Sequence, residues 1–248
     1  MDAQEFLSFL LDKCHEELKH LYVGQGQQSS RAEADEWATS GGWKEKSHQD
    51  NQSEILQDSI IRDIFGGVLK TEVTTQQTRA VFVQHEPFYV LNLEIPKGPH
   101  APTLQTCLQN HFTEHFVKDY RHRDRTVRAY HQQLLSKLPN VLCIHFKRFV
   151  WQVDRPVKLS EKVRFEEVIS IAPEWLASNL DGGRPRRYRL YSVVEHVGER
   201  VDRGHYVCCA MDADNSWQHF DDVKVSERDL ASILHHSQAY VLFYELIY

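Results

Sequence analysis

Residues 187–246 constrain the fold more than any other stretch, because they read as strands interrupted by turn chemistry. Apolar or alternating segments occupy residues 187–197, 205–211, 217–221 and 240–246. Between the second and third lies Asp212-Ala213-Asp214-Asn215, a run of short polar side chains that bond their own backbone and favour a tight turn. Strands joined so closely pair antiparallel, since a parallel partner requires a crossover of about a dozen residues or more. Centring the turn on Ala213 and Asp214 sets His205 opposite Asp221, to within one residue, at the open end of one hairpin. Facing residues stand about 5 Å apart at Cβ. At that distance a carboxylate accepts the imidazole N–H, fixes its tautomer and leaves the other ring nitrogen to take a proton. An incidental His–Asp pair on a surface hairpin is the competing reading.

Upstream, residues 2–21 form the clearest helix. Asp2 can cap it while Glu5, three residues on, reaches back, and Leu7, Leu10, Leu11, Cys14, Leu18 and Leu21 make one apolar stripe. Apolar periodicity then vanishes over residues 22–54, where Trp37 and Trp43 are the large apolar residues in a Gln-, Ser-, Gly- and Glu-rich setting. This predicts a disordered or loosely held insertion. From residue 55 the pattern becomes mostly β, with strands expected over 66–76 and 80–95 and punctuation at Pro87 and Pro96. A short helix is expected over 103–116, and further strands over 127–133 and 140–147. One helix followed by many strands at hairpin spacing implies an α+β protein with a mostly antiparallel sheet.

Composition excludes several function classes. A net charge of −6 argues against a nucleic-acid partner, which needs a basic face. The five cysteines (Cys14, Cys107, Cys143, Cys208, Cys209) are odd in number and lack C-x-x-C spacing. They read as reduced thiols of an intracellular protein, cytoplasmic and/or nuclear, and not as a disulfide framework or zinc ribbon. No signal peptide is evident, and no apolar run approaches the roughly 18 residues of a membrane span, so no membrane partner is expected. A second chemistry is suggested by His111-Phe112-Thr113-Glu114-His115, an H-x-x-E-H pattern on the expected helix 103–116 that would share one face toward a metal. No third ligand pairs with it, and a solvated helix face in a chain of 15 histidines is the favoured reading.

Three segments carry a resemblance. Leu138-Pro139-Asn140-Val141-Leu142-Cys143-Ile144-His145-Phe146-Lys147-Arg148-Phe149 resembles the L-P-x-x-L-x-x-H-[LF]-K-R-F box of ubiquitin-specific proteases. The run from Gly204-His205-Tyr206 through Trp217 and Phe220-Asp221-Asp222 to Ala239-Tyr240-Val241-Leu242-Phe243-Tyr244 looks like that family's histidine box. Asp2-Ala3-Gln4-Glu5-Phe6-Leu7 is similar to its Q-D-A-x-E-F helix. The boxes occur in family order and span nearly the whole chain. Within the family, Ile64-Phe65-Gly66-Gly67, Pro87-Phe88-Tyr89-Val90-Leu91 and Phe149-Val150 look closest to the ubiquitin-specific protease 10 branch.

The resemblance implies a papain-like cysteine peptidase fold of palm, fingers and thumb. Residues 55–135 would be fingers-like and residues 136–248 would form the palm with the histidine box. It implies hydrolysis of the (iso)peptide bond after ubiquitin's C-terminal glycine, with ubiquitin and ubiquitinated proteins as partners and no cofactor. His205 would be the general base, Asp221 its orienting partner and Asp222 the family's second acidic residue. Asp2 and Tyr206 would line the channel for ubiquitin's tail, although helix capping and packing are their plain alternatives. His145, Lys147 and Arg148 would be structural. The sequence departs from the family in two respects. The N-x-G-N-[TS]-C-[FY] block that carries the nucleophile is not found, so the thumb is expected to be largely missing. The paired C-x-x-C motifs of zinc-bearing fingers are also not found. A catalytically inactive, ubiquitin-binding relative is therefore the alternative to an enzyme.

Overall fold

The computed structural model describes residues 2–22, 59–122, 125–152, 154–178, 180, 186–200, 203–236 and 238–247. Apart from Tyr22, the insertion expected at 22–54 lies outside them. Helix α1 (Ala3–Tyr22) opens where the capping pattern placed it. Asp2 Oδ1 accepts from the amides of Gln4 at 2.8 Å and Glu5 at 3.2 Å, two of the donors that a helix N-terminus leaves without partners. The buried face runs through Leu11 and His15, while Phe6, Phe9 and Leu10 stay exposed. His15 is the residue the stripe did not anticipate. Its Nδ1 lies 2.6 Å from Ser59 Oγ, and Ser59 caps the short helix α2 (Ile60–Phe65), so one hydroxyl joins two helices.

Two sheets follow. Strands β1 (Gly67–Thr75), β2 (Val81–Phe88), β4 (His115–His122) and β5 (Arg125–Lys137) form a four-stranded antiparallel sheet in the order β2-β1-β5-β4. Pro87 does not break the chain as expected. It sits inside β2, opposite Val68, and an edge strand tolerates a residue that cannot donate to the ladder. Helix α3 (Leu104–Phe112), capped by Thr103, also ends earlier than the pattern suggested. Thr113 is extended, and the chain turns into β4 where a continuing helix was expected.

Among the described residues, eight strands make the larger sheet. They are β3 (Val90–Leu93), β6 (Val141–Phe146), β9 (Val168–Ile171), β10 (Arg186–Val197), β11 (His205–Met211), β12 (Trp217–Asp221), β13 (Lys224–Glu227) and β14 (Ala239–Ile247). The order is β13-β12-β11-β10-β14-β6-β3, with β9 against the start of β10. Every pairing is antiparallel except β3 with β6, whose connection contains α3 and strands β4 and β5 of the smaller sheet and is long enough for a parallel crossover. Helix α3, a 3-10 turn at Pro173–Trp175 and helix α4 (Leu230–His236) accompany the sheet. The core joins Leu104, Leu108 and Phe112 of α3 to Leu142 and Ile144 of β6, Leu190 and Val193 of β10, and Leu242 of β14. Trp175 stacks on Phe112 at 5.5 Å between ring centroids. Each such side chain, fully buried, contributes about 1.5–3 kcal/mol. No helix among the described residues is long and apolar enough to cross a membrane.

The α+β expectation therefore holds, and the elements that residue pattern missed are short ones. Besides α2, β4, β9, β13 and α4, these include a hairpin of β7 (Phe149–Gln152) and β8 (Arg155–Lys158) that pairs with neither sheet. Two buried cations fasten it. Arg148 is 1% exposed, and its Nε donates to the Ala239 carbonyl at 2.8 Å while one terminal nitrogen donates to those of Leu159 at 3.0 Å and Glu161 at 2.7 Å. Lys158 donates to the carbonyls of His196 and Gly198. Replacing Arg148 with Met keeps a stem of similar bulk and leaves three carbonyls without this donor. At about 1–3 kcal/mol for each buried group left unpaired, Arg148→Met is expected to cost roughly 3 kcal/mol or more, read as a lower urea midpoint in equilibrium unfolding.

Candidate active site

His205 and Asp221 meet, although not in the register drawn from the turn alone. The β11–β12 ladder pairs Met211 with Trp217 and Cys208 with Phe220. Asp212 accepts amides from Asp214 and Ser216 and so closes a longer turn, with Asn215 at φ 61°. Continuing that register brings Asp221 level with Val207, and His205 lies one pair further out on the same face. The imidazole reaches back along the strand, placing Nε2 at 2.6 Å from Asp221 Oδ1.

This contact decides what the ring can do. Asp221 accepts at Nε2, so Nδ1 is the nitrogen left for proton exchange with a reacting group. Both side chains are about two-fifths exposed, so burial does little to either. The hydrogen bond that His205 donates to Asp221, with the nearby Asp222 carboxylate, holds the His205 midpoint above the ordinary imidazole value. The same bond holds Asp221 below the ordinary carboxylate value. Asp222 occupies the two-residue turn between Asp221 and Lys224 at φ 51°, a left-handed conformation that Asp tolerates better than most side chains. Donor atoms of His205, Asp221 and Asp222 lie within 4.8 Å of one another. That spacing could admit a cation, but Nε2 of His205 is already engaged by Asp221.

Asp2 and Tyr206 are also brought together. Besides capping α1, Asp2 takes the Tyr240 hydroxyl at 2.5 Å and the Tyr206 hydroxyl at 3.2 Å on Oδ2. Burial pushes its midpoint up, but the donors from Tyr240, Glu5, Gln4 and Tyr206 outweigh it and leave the carboxyl below the usual value. One carboxylate thus ties the start of α1 to β11 and β14, a single residue away from His205. Tyr240 also lines an open groove of about 630 Å³, together with Ile95, His145, Lys147, Phe149 and Trp151. His145 donates from Nδ1 to Asn92 Oδ1 at 2.7 Å, an orientation fixed by Asn92 Nδ2, which donates to the Val90 carbonyl. Burial pushes His145 down to about 4, so its Nε2 is a bare acceptor. Lys147 shares that groove and is half-exposed, whereas Arg148 is internal, as the box suggested.

The alternative metal pair separates. His111 sits in the last turn of α3, pushed down to about 4 by burial. His115 starts β4, with its Nε2 at 2.9 Å from the Asn110 carbonyl. The two do not share a helix face, and among the described residues neither joins a group of three possible ligands. Residue pattern did not reveal Lys158, His196 or Tyr240, whose roles come from contacts distant in sequence.

Two outcomes are expected. In an NMR titration of the His205 ring, Asp221→Asn moves the midpoint down toward the ordinary imidazole value. The stability that His205 draws from the pair is full below the unfolded imidazole value and is lost as pH rises through its raised folded midpoint. That drawn by Asp221 is lost as pH falls through its lowered one, so the pair persists between the two. Asp2→Ala deletes a cap and the acceptor of two tyrosine hydroxyls, and is expected to cost about 2–4 kcal/mol in chemical denaturation.

The family profile described as "Ubiquitin carboxyl-terminal hydrolase" matches residues 1–244. Ubiquitin hydrolase B of Dictyostelium discoideum is 30% identical over 259 residues, covering 99% of this chain and 55% of that protein. Ubiquitin carboxyl-terminal hydrolase 2 of Gallus gallus is 32% identical over 254 residues, covering 99% of this chain and 68% of the relative. Among solved structures, the SAGA Ubp8/Sgf11/Sus1/Sgf73 DUB module bound to ubiquitin aldehyde matches with a TM-score of 0.76 at 22% identity, over 100% of this chain and 50% of that one. The fold is therefore that of the papain-like catalytic domain, and the chain spans about half the length of the first of these relatives. A profile match along almost its whole length, joined to relatives of this identity and coverage, places the chain in the ubiquitin carboxyl-terminal hydrolase family.

Proposed function

We propose that this chain supplies the base half of a deubiquitinating thiol hydrolase, which cleaves the (iso)peptide bond after ubiquitin's C-terminal glycine. The observation that carries the reading is the 2.6 Å contact between His205 Nε2 and Asp221 Oδ1, which leaves Nδ1 for a thiol. In this mechanism His205 takes the thiol proton and Asp221 stabilises the resulting imidazolium. The thiolate attacks the carbonyl carbon of the scissile bond, and the imidazolium returns the proton to the departing amine. Water, deprotonated by His205, then attacks the thioester carbonyl, so that the C–S bond breaks, ubiquitin leaves as a carboxylate and the imidazolium returns its proton to the thiolate. Asp222 adds negative potential beside the imidazolium. Asp2 and Tyr206 line the entry for ubiquitin's basic tail, and the groove at Tyr240 receives the residues before it.

The thiol is proposed to come from elsewhere in a longer polypeptide. Cys107 and Cys143 are buried with their thiols pushed up, Cys107 to about 11, and Cys209 is buried and raised as well. Cys208 alternates to the opposite face of β11 from His205 and faces Ser192. Cys14 lies within α1. A depressed thiol beside a positive charge is what nucleophilic attack requires, whereas those of Cys107, Cys143, Cys208 and Cys209 are all raised by burial. Exposed Phe6, Phe9 and Leu10 on α1 are the surface such a thiol-bearing thumb would cover. On the same reading, the smaller sheet corresponds to fingers and the larger to palm. The resemblance to the ubiquitin-specific protease 10 branch and a cytoplasmic or nuclear setting, in keeping with five free thiols, belong to this proposal too.

A second reading, a ubiquitin-binding relative without turnover, is favoured by that same lack of a competent thiol. Ubiquitin bearing a C-terminal thiol-reactive group separates the two. The 248-residue chain alone is expected to bind this probe without covalent attachment. Co-production with the N-terminal half of a relative such as the Gallus gallus protein is expected to restore labelling, on that half and dependent on His205. Labelling of any of the five cysteines here would sink the assignment of the thiol. Failure of every complemented form to label, with binding intact, would leave the non-catalytic reading.

A further inference from the structure

The buried amine of Lys158 has no place in the chemistry described so far, yet it sits where two structural units that flank His205 converge. Lys158 is 7% exposed, and its Nζ donates to the carbonyl of His196 at 2.7 Å and to that of Gly198 at 2.5 Å. Both acceptors are uncharged, so the ammonium has lost most of its water in exchange for two carbonyls. Burial and the nearby Arg148 lower its midpoint accordingly. A group this costly to bury is retained where its geometry matters.

Strand pairing shows what the geometry secures. The ladder between β10 and β14 ends at Glu195 and Ala239, while the ladder between β10 and β11 continues through His196–Tyr206 to Val197–His205. Residues 196–198 thus run past the end of β14, and Lys158 takes the place of the absent strand. It grips the residues on either side of Val197, the ladder partner of His205. The local backbone leaves no slack. Gly198 has φ 121°, and a Cβ on Gly204 would stand 2.0 Å from His196 Nε2, so both positions need glycine. The His196 ring in turn packs against Phe149 at 5.4 Å and Tyr206 at 4.8 Å between centroids.

The other end of the clamp is the β7–β8 hairpin. Lys158 pairs with Phe149 at its base, and Phe149, Val150 and Trp151 line the groove. We propose that Lys158 is a positioning residue for His205, coupling the hairpin beside the groove to the backbone that sets the imidazole against Asp221. What enters the groove and shifts the hairpin then also shifts His205. This deepens the role proposed above for His205, but its test needs no turnover.

The test is an NMR titration of the His205 ring in the 248-residue chain, its signal identified by its loss in His205→Ala. Asp221→Asn gives the midpoint of an uncoupled ring. Lys158→Met is expected to move the His205 midpoint down toward that reference, and Lys158→Arg, which still donates to two carbonyls, to keep the wild-type value. Should Lys158→Met not fold, Lys158→Gln is read in its place with the same expectation. A wild-type His205 midpoint in the Met or Gln variant, with only the melting temperature lowered, would overturn the proposal and leave Lys158 a structural residue. Loss of probe labelling in the complemented enzyme with this titration order intact would instead count against the hydrolase reading alone.

Discussion

The carbonyls at the margins of the larger sheet set the terms for the rest of the structure. Where strands end or diverge, backbone oxygens lose their ladder partners, and inside a protein each must find another donor. Here side chains supply it repeatedly. Arg148 serves Ala239, Leu159 and Glu161, and Lys158 serves His196 and Gly198. The Tyr188 hydroxyl serves Pro139, and that of Tyr244 serves Glu166. These donors convert loops that no ladder could hold into fixed extensions of the sheet. The strand end bearing His205 is one beneficiary, and the unpaired β7–β8 hairpin is another.

The same economy of donors sorts the histidines into two kinds. His205 is exposed and bonded to a carboxylate that holds its midpoint above the ordinary imidazole value, so its free ring nitrogen faces solvent as a proton carrier. His145 and His111 are pushed down to about 4 by burial and remain neutral there. For His145 the Asn92 carbonyl oxygen fixes which nitrogen keeps the proton. A single residue type thus serves as a proton carrier at the strand end and as a fixed acceptor in the groove.

Much of this was legible from residue pattern. The strands β10 and β14 are long and carry many buried residues, so burial fixes them whatever their neighbours, while the polar turn at Asp212–Asn215 marks out β11 and β12. The His205–Asp221 pair followed because a hairpin limits what can face what, although the longer Asp212–Ser216 turn displaced the register. The short elements escaped for physical reasons. All of β13 is exposed, β7 and β8 are held by cations more than by an apolar face, and β4 begins where Thr113 abandons the helix that His111 and His115 suggested. Pro87 misled because its effect depends on edge position, which pattern does not reveal. His15, Lys158 and His196 were invisible because their partners lie tens of residues away.

The two margins of the larger sheet bear on how the protein behaves among its neighbours. One margin is β13 and the other β3, each only four residues long. An open strand edge is a template on which a foreign chain can add by backbone pairing, and short edges with charges blunt that risk. Lys224 and Glu227 bracket β13, and the turn at Asp222 and the exposed Val223 delimits it. The acidic residues beside His205 therefore stand on a border that offers too little backbone for another chain to extend. The exposed His205–Asp221 pair can face solvent there without inviting the sheet to polymerise.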